Sequence, residues 1–600
     1  MKRLIIALLS ALSLGTAGSA QPAIAPEDIL PPAQPWSGAS ERLIAPMNHP
    51  WVTPSERTGL TATPSYVETI AWLKRLDAAS PLIRMEAFGR TAQGRELWLV
   101  IAAEGGRFDP AKPTLLAQAG IHAGEIDGKD AGLMLLRDIA FRGKDGLLDG
   151  ANLLFVPVFN ADGHERTSAY NRPNQRGPTN QGWRTTAQNL NLNRDYLKAD
   201  SPEMRAMIGL IRRWDPDLYL DLHVTDGHDH QPDVTFDFNG WDGRYARSAE
   251  VGRWLDGVFR PAQMRALKAA GHTPAQYLSL VDARRPEAGA VHDPSGPRFS
   301  TGYGDLIGVP TVLLETHSLK PYRRRVLGTY VFVETALRTL ANEGAAVQSA
   351  KAADRKARPS NIAAAWGPPD QPVGRTQFLP IRAELRRSPA SGREELRYTG
   401  QPAPALSIPL LAATRPTEVA RPRAYWVPAT KPEVIARLDL HGVKYERITE
   451  PREVEVEMIR FASASLGTDV SEGRVRIAAG DSTVERRRER YPVGSVRVPT
   501  DQPLGTLAVL LLEPKSHDSL WAWGFFPEVL QRTEYIEAYA VAPLAERMLA
   551  ADPKLKAEFQ AALKADPKFA GDGDVRLAWF YRRSPYYDTR HLLYPIGIER

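Results

Sequence analysis

The stretch Pro113 to Ala140, PTLLAQAGIHAGEIDGKDAGLMLLRDIA, decides how this chain folds. Its apolar opening, TLLAQ, reads as a buried strand, and GKDAGLMLLRDIA carries apolar residues at helical spacing. A strand that feeds straight into a helix is the repeating unit of an α/β sheet. Gly124 and Gly128 let the backbone turn tightly between the two. His122 and Glu125 stand three residues apart in that turn, at the edge where open α/β sheets place ligands. The pair reads either as half of a metal site or as a polar turn with His122 bonded locally, and the stretch alone leaves both open.

Outward from this unit the same alternation continues. SYVETIAWLKRL (65–76) has helical spacing, RELWLVIAA (95–103) and ANLLFVPVFN (151–160) read as strands, and a Gly/Asn/Pro-rich stretch follows from Arg166 to Gly182. Then come a helix in PEMRAMIGLIRRW (202–214), strands in DLYLDLHVTD (217–226) and PTVLLETHS (310–318), and a long helical pattern over 324–344. The expected fold for residues 56–345 is α/β, a mixed, mainly parallel sheet flanked by helices. Residues 346–375 shift to Ala, Pro and charge and are expected to be a linker. Residues 376–600 read as an α+β domain, with strands in SVRVP (495–499) and GTLAVLLLEP (505–514) and helices over 536–566. Trp521 and Trp523 are expected to be core or interface aromatics.

The chain of 600 residues is 43% hydrophobic and 24% charged, as in folded proteins with more than one core. Lys2 and Arg3 precede an apolar run from Leu4 to Leu14 and small residues ending at Ala20, which predicts a signal peptide over 1–20. That run is too short and too interrupted for a membrane span. Residues 21–55, rich in Pro, Ala and Ser, are expected to be a leader arm. There is no cysteine, so any metal must be held by His and carboxylates. The net charge is +6, but the basic clusters at Tyr322 to Val326 and Glu485 to Arg490 are short or mixed with acids. They read as solvated surface rather than a nucleic-acid patch.

Further polar residues fall at predicted strand ends. In DLYLDLHVTD, alternation sends Leu218, Leu220 and Leu222 to one face and Tyr219, Asp221 and His223 to the other. A catalytic zinc takes three His or carboxylate ligands and keeps a fourth position for water, and His122, Glu125 and His223 form such a set. His228 and His230 compete for the third place, but they lie in the following loop and are expected to be exposed. Glu315 follows an apolar strand and is either a polar cap or a base able to activate a metal-polarised water. The loop QGWRTTAQNLNLNRDY offers Arg184, Asn193 and Arg194, whose donors suit a carboxylate, although Asn-rich turns with surface arginines would look alike.

Together these segments resemble the zinc carboxypeptidase family, the carboxypeptidase A-like enzymes. HAGE resembles that family's H-x-x-E zinc pair, PVFNADG (157–163) its N-P-D-G turn with Ala161 for Pro, and GWR its tryptophan-arginine element. NLNRDY resembles its asparagine-arginine motif, LHVTD the strand of the third ligand, and LLETHS the strand of the catalytic glutamate. All six occur in family order across residues 60–345. The C-terminal half is similar to that of large exported bacterial members.

The resemblance implies one zinc per chain on His122, Glu125 and His223, with Glu315 as general base and Arg184 polarising the scissile carbonyl. It assigns Asn193 and Arg194 to the substrate's terminal carboxylate. Three departures concern the substrate side. Ala123 and Gly124 stand where the family often has an arginine, and Asn191 stands for an aspartate that orients a zinc histidine. The tyrosine that closes over substrate has Tyr303 as its nearest match, with Arg298 and His292 as stand-ins. The expected activity is hydrolysis of C-terminal peptide bonds by an exported, periplasmic or secreted enzyme. The alternatives are an amidase of cell-wall peptides on the same scaffold and a zinc- or peptide-binding module without catalysis.

Overall fold

The computed structural model describes residues 24–600, so the predicted signal peptide lies outside the described residues. Helix α1 (Tyr66–Ala79) begins at a capping box: the Ser65 hydroxyl accepts from the Glu68 amide, and Glu68 accepts from the Ser65 amide. Its buried Ile70, Leu73 and Leu76 recur at helical spacing. The chain continues through β1 (Ile83–Arg90), β2 (Glu96–Ala102), β3 (Thr114–Ala119), α2 (Asp127–Phe141) and β4 (Asn152–Val156). Next come α3 (Pro202–Trp214), β5 (Leu218–Thr225), β6 (Val234–Asp237), β7 (Pro274–Gln276), β8 (Ser279–Leu280) and β9 (Ala290–His292). The region closes with α4 (Ser300–Ile307), β10 (Thr311–His317) and α5 (Tyr322–Lys356).

Eight of these strands form one sheet in the order β1-β2-β4-β3-β5-β10-β6-β7. The middle pairs β4-β3, β3-β5 and β5-β10 are parallel, and β1-β2, β2-β4 and β10-β6 are antiparallel. Every residue of β3, β4 and β5 is buried, because helices cover both faces of a parallel core. Alternation sorts the faces. Leu218, Leu220 and Leu222 pack with Leu133 of α2 and Leu327 of α5, while Tyr219 joins Met204, Met207 and Ile208 of α3 on the other face. Gly128 lets α2 start hard against the sheet, since a Cβ there would fall 2.7 Å from Leu222 Cδ1.

The stretch 346–375, expected as a linker, is built into the fold instead. Helix α5 carries on to Lys356, Asn361–Trp366 pairs with Pro416–Ala420, and Gln371–Phe378 pairs with Leu406–Ala412. Leu406–Ala412 also pairs in parallel with β9, so strands from the second half extend a loop of the first. One apolar core runs from Leu116 and Ile208 into Leu507, Leu511, Trp521 and Trp523. The continuation of α5 is mostly exposed, with only Val347 and Lys351 buried, and the Ala-rich charged composition of such a helix end resembles that of a linker.

GTLAVLLLEP, read as a strand, is a helix over Gly505–Leu512. All but Thr506 of that helix is buried, so its pattern is apolar all round and has no period to separate helix from strand. The Glu485–Arg490 cluster lies on the strand Ser482–Tyr491, where Arg486, Arg488 and Arg490 stand opposite Glu457, Glu455 and Glu453. These are cross-strand pairs of opposite charge on an open surface. Residues 24–55 lie across the first region: Trp36 Nε1 donates to the Gly271 carbonyl, and the Ser40 hydroxyl bonds His272. Among the described residues no helix is long and apolar enough to cross a membrane.

Asp200 ties the halves together by polar contacts. It accepts from Arg474 at 2.6 and 2.7 Å and from Arg437 at 2.9 Å. Burial pushes its carboxyl up, but Arg474, Lys198 and Arg437 outweigh that and hold it down to about 2 from an ordinary 3.8. A depressed carboxyl contributes stability that is present above its unfolded pKa and lost as pH falls through the folded one. The thermal midpoint of Asp200→Asn should therefore lie below that of the parent protein near neutral pH. The gap should close between about pH 4 and about pH 2, and a gap constant across that window would rule out this contribution.

Candidate metal centre and cleft

The C-terminal ends of β3, β5 and β10 lie side by side, and each delivers one polar group to the same place. His122 follows β3, His223 is in β5, and Glu315 in β10 pairs in register with His223. Parallel neighbours in register point their side chains to the same face, so this register sets Glu315 beside His223. Glu125 reaches back from the turn that leads into α2.

His122, Glu125 and His223 each offer one ligand atom, and these atoms lie within 4.8 Å of one another. Both histidines turn Nδ1 to Glu125: His122 Nδ1 is 3.0 Å from Oε1 and His223 Nδ1 is 3.0 Å from Oε2. The His122 Nδ1 atom is buried yet makes no aligned hydrogen bond, leaving its lone pair free for a cation. Two imidazoles, one carboxylate and a neighbouring cleft fit a zinc with an open position. Burial lowers the His122 pKa to about 4, which keeps the ring neutral, as a ligand must be.

Each histidine is oriented through its other nitrogen. His122 Nε2 is hydrogen-bonded to Asn191 Oδ1 at 3.1 Å, so the Asn that departs from the family's aspartate still contacts this ring. The nearby carboxylate belongs to the other histidine, with His223 Nε2 3.0 Å from Asp221 Oδ2. Burial works to lower the His223 pKa, but Asp221 and Glu125 raise it well above the ordinary value. Asp221 is itself fixed by a buried chain: it accepts from Gln118 Nε2, and Gln118 Oε1 accepts from the Tyr219 hydroxyl, which bonds Tyr196.

Around the triad lies a cleft of about 420 Å³, lined by Arg172, Arg184, Asn193, Arg194, Tyr277, Phe299 and Glu315 among others. Glu315 is 8% exposed, and among the described residues its Oε2 has no hydrogen-bond partner. Burial, against the pull of His223, pushes its carboxyl up to about 8. Arg184 Nη1 is 3.2 Å from Glu125 Oε1. Arg194 donates to the Asn193 carbonyl and lies against the Phe299 ring, and the buried Asn193 Oδ1 has no partner among the described residues.

Three placements differ from expectation. Tyr303 does not line the cleft: it is 1% exposed, and its hydroxyl bonds His441 Nδ1 at 3.0 Å. It follows the cleft-lining Thr301 by two residues, about 200° around helix α4, which turns it into the core. Tyr277 is the tyrosine at the cleft, where the Glu315 carboxylate, then burial, raises its pKa. His228 and His230, expected to be exposed, are half-buried, with His230 packed edge-to-face against both His228 and His317.

Arg172 is a site residue that the sequence reading missed. A Cβ at Gly124 would fall 2.7 Å from Arg172 Cγ, so the missing side chain in HAGE is the space through which this arginine runs. Its Nη2 reaches 3.0 Å from Glu125 Oε1. Nothing in YNRPNQRG marks Arg172 out, and Tyr277 reaches the cleft only because β7 pairs with β6 and β6 with β10.

Residues 69–228 match the model of a family described as zinc carboxypeptidase. Carboxypeptidase 2 of Trichophyton rubrum is 24% identical over 436 residues, covering 68% of this chain and 73% of its own length. An inactive metallocarboxypeptidase of Saccharomyces cerevisiae is 33% identical over 108 residues, 17% of this chain and 25% of the relative. The crystal structure of a metallo-carboxypeptidase from Burkholderia cenocepacia superposes with a TM-score of 0.35 at 20% identity, covering 46% of this chain and 70% of that one.

Outer partners of metal-binding histidines commonly change metal affinity by about 10- to 100-fold. Asp221→Asn should weaken zinc binding by about tenfold or more in competition with a chelator, and an unchanged affinity would remove Asp221 from that role.

Proposed function

We propose that this chain, whose residues 69–228 match the zinc carboxypeptidase family, is an exported enzyme that removes residues from the C-termini of peptides. One zinc per chain would be held by His122, Glu125 and His223. Bound there, zinc supplies a Lewis acid that acidifies water and polarises a carbonyl. The rest is the work of this chain's own groups. Glu315 takes the proton of the attacking water and later returns it to the leaving amine. Arg184 places a guanidinium against the scissile carbonyl as negative charge develops on its oxygen. Asn193 and Arg194 bind the terminal carboxylate, and a neutral donor beside a planar fork suits that group. Arg172 brings from the loop a guanidinium to the position that Gly124 leaves bare.

The observation that carries this reading is Glu315: a buried carboxylate with a free oxygen, in register with His223 and open to the cleft. Burying a second carboxyl group without a partner costs stability, and a module that only binds zinc or peptide would gain nothing in return. Export rests on the sequence of residues 1–20.

Incubating the protein with peptides of different C-terminal residues and with a muropeptide, with and without a chelator, tests the activity. Loss of one C-terminal residue, abolished by the chelator, is expected. Cleavage of the muropeptide alone would favour the amidase reading, and unchanged masses with zinc bound would favour the binding module. Glu315→Gln should lower turnover by about 10³-fold while retaining zinc, and preserved turnover would exclude Glu315 as the base. Arg194→Ala should raise KM for free-carboxylate peptides by about tenfold or more and spare their amidated analogues. Equal losses on both would count against the carboxylate assignment.

A further inference from the structure

One wall of the cleft is the segment from Val291 to Thr301, and no strand of the eight-stranded sheet carries it. It is held from the second half of the chain. At its start, β9 takes its parallel partner from Leu406–Ala412, and the Tyr245 hydroxyl donates to the His292 carbonyl while accepting from the Ala413 amide. Towards its end, Asp518 is buried at 1% exposure and accepts from Arg298 Nη1 at 3.0 Å and from the Arg298 amide at 3.3 Å. Gly296 makes room for this contact, since a Cβ there would lie 2.7 Å from Asp518 Oδ2.

The neighbours of Arg298 explain why a carboxylate is needed. The Arg298 guanidinium lies 5.0 Å from the centroid of the Phe299 ring, and the Arg194 guanidinium lies 4.4 Å from the same ring. Two cations against one aromatic ring attract the ring but repel each other. Asp518 neutralises Arg298 and pins it, so the repulsion is relieved without occupying Arg194. Among the described residues Arg194 makes no ion pair with an acid; its contacts are the Asn193 carbonyl and the Phe299 ring, which leave its charge for a ligand.

We propose that Asp518 is a positioning residue for substrate: through Arg298 and Phe299 it holds Arg194 ready for a terminal carboxylate, so that the C-terminal region completes the peptide-binding cleft. The substrate half of this statement rests on the assignment of Arg194 made above; the mechanical half does not. The wall is a shared structure, and the role of the second half of the chain is to hold it.

The test uses the full chain with Asp518→Asn, which keeps the shape and removes the charge. KM for free-carboxylate peptides should rise about tenfold, kcat should stay within about twofold, and zinc content should be unchanged. Amide hydrogen exchange should quicken over residues 293–301 and not in β3 or β5. Asp518→Glu should recover part of the KM, as a merely space-filling role would not allow. Arg298→Met removes the same ion pair from the other side, and its effect should be non-additive with Asp518→Asn, which keeps the proposal testable if the first variant folds poorly. Unchanged exchange over 293–301 overturns the proposal, as does a loss confined to kcat. If exchange quickens but Arg194→Ala spares the preference for free carboxylates, the Arg194 assignment fails and the brace stands.

Discussion

Glu125 has 2% of its side chain exposed and lies among His122, His223, Arg172 and Arg184, and the local structure depends on how that buried charge is met. A carboxylate removed from water is tolerable only when several donors or cations surround it. Those groups come from four separate places: the turn after β3, strand β5, and two points in the long loop before α3. The Val224 amide adds a fifth contact at 3.1 Å. Meeting one buried charge thus pulls the central strands and the loop into a single arrangement. Burial pushes the Glu125 carboxyl up, but these partners hold it well below the ordinary range.

The parallel strands then do what side-chain packing alone could not. Because β3, β5 and β10 are adjacent and run the same way, their C-terminal ends share one edge, and register decides which residues meet there. Beneath His223, the chain from Asp221 through Gln118 to Tyr219 and Tyr196 is fully buried and hydrogen-bonded, which fixes the ring from below. The two histidines have different outer partners, an amide at His122 and a carboxylate at His223. Asn191 keeps the geometry of the first ring, and Asp221 supplies charge to the second.

The two halves of the chain are not independent bodies joined by a tether. They share an apolar core around Trp521 and Trp523, a strand pairing at β9, and the ion pairs of Asp200. An interface of that kind places C-terminal residues within reach of the cleft wall, and Asp518 uses that reach.

Read alone, the sequence determined the central strands of the sheet and the polar groups that meet at their ends. Periodicity located β2, β3, β4, β5 and β10 and the helices α1, α2, α3 and α5 of the first region, but not the outer strands β1, β6 and β7. The small-residue turn at 119–128 and the strand ends at His223 and Glu315 marked the groups that meet, because in a parallel sheet the position of a residue along its strand already says which edge it reaches. What composition obscured was the second half, where a buried helix has no period and a helix end resembles a linker. Only the tertiary structure decided the contacts made across long sequence separations. Arg172 fills the space beside Gly124, Tyr277 rather than Tyr303 faces the cleft, and Asp518 grips Arg298. Each of these depends on how loops and layers pack, and such packing leaves no spacing in the sequence to read.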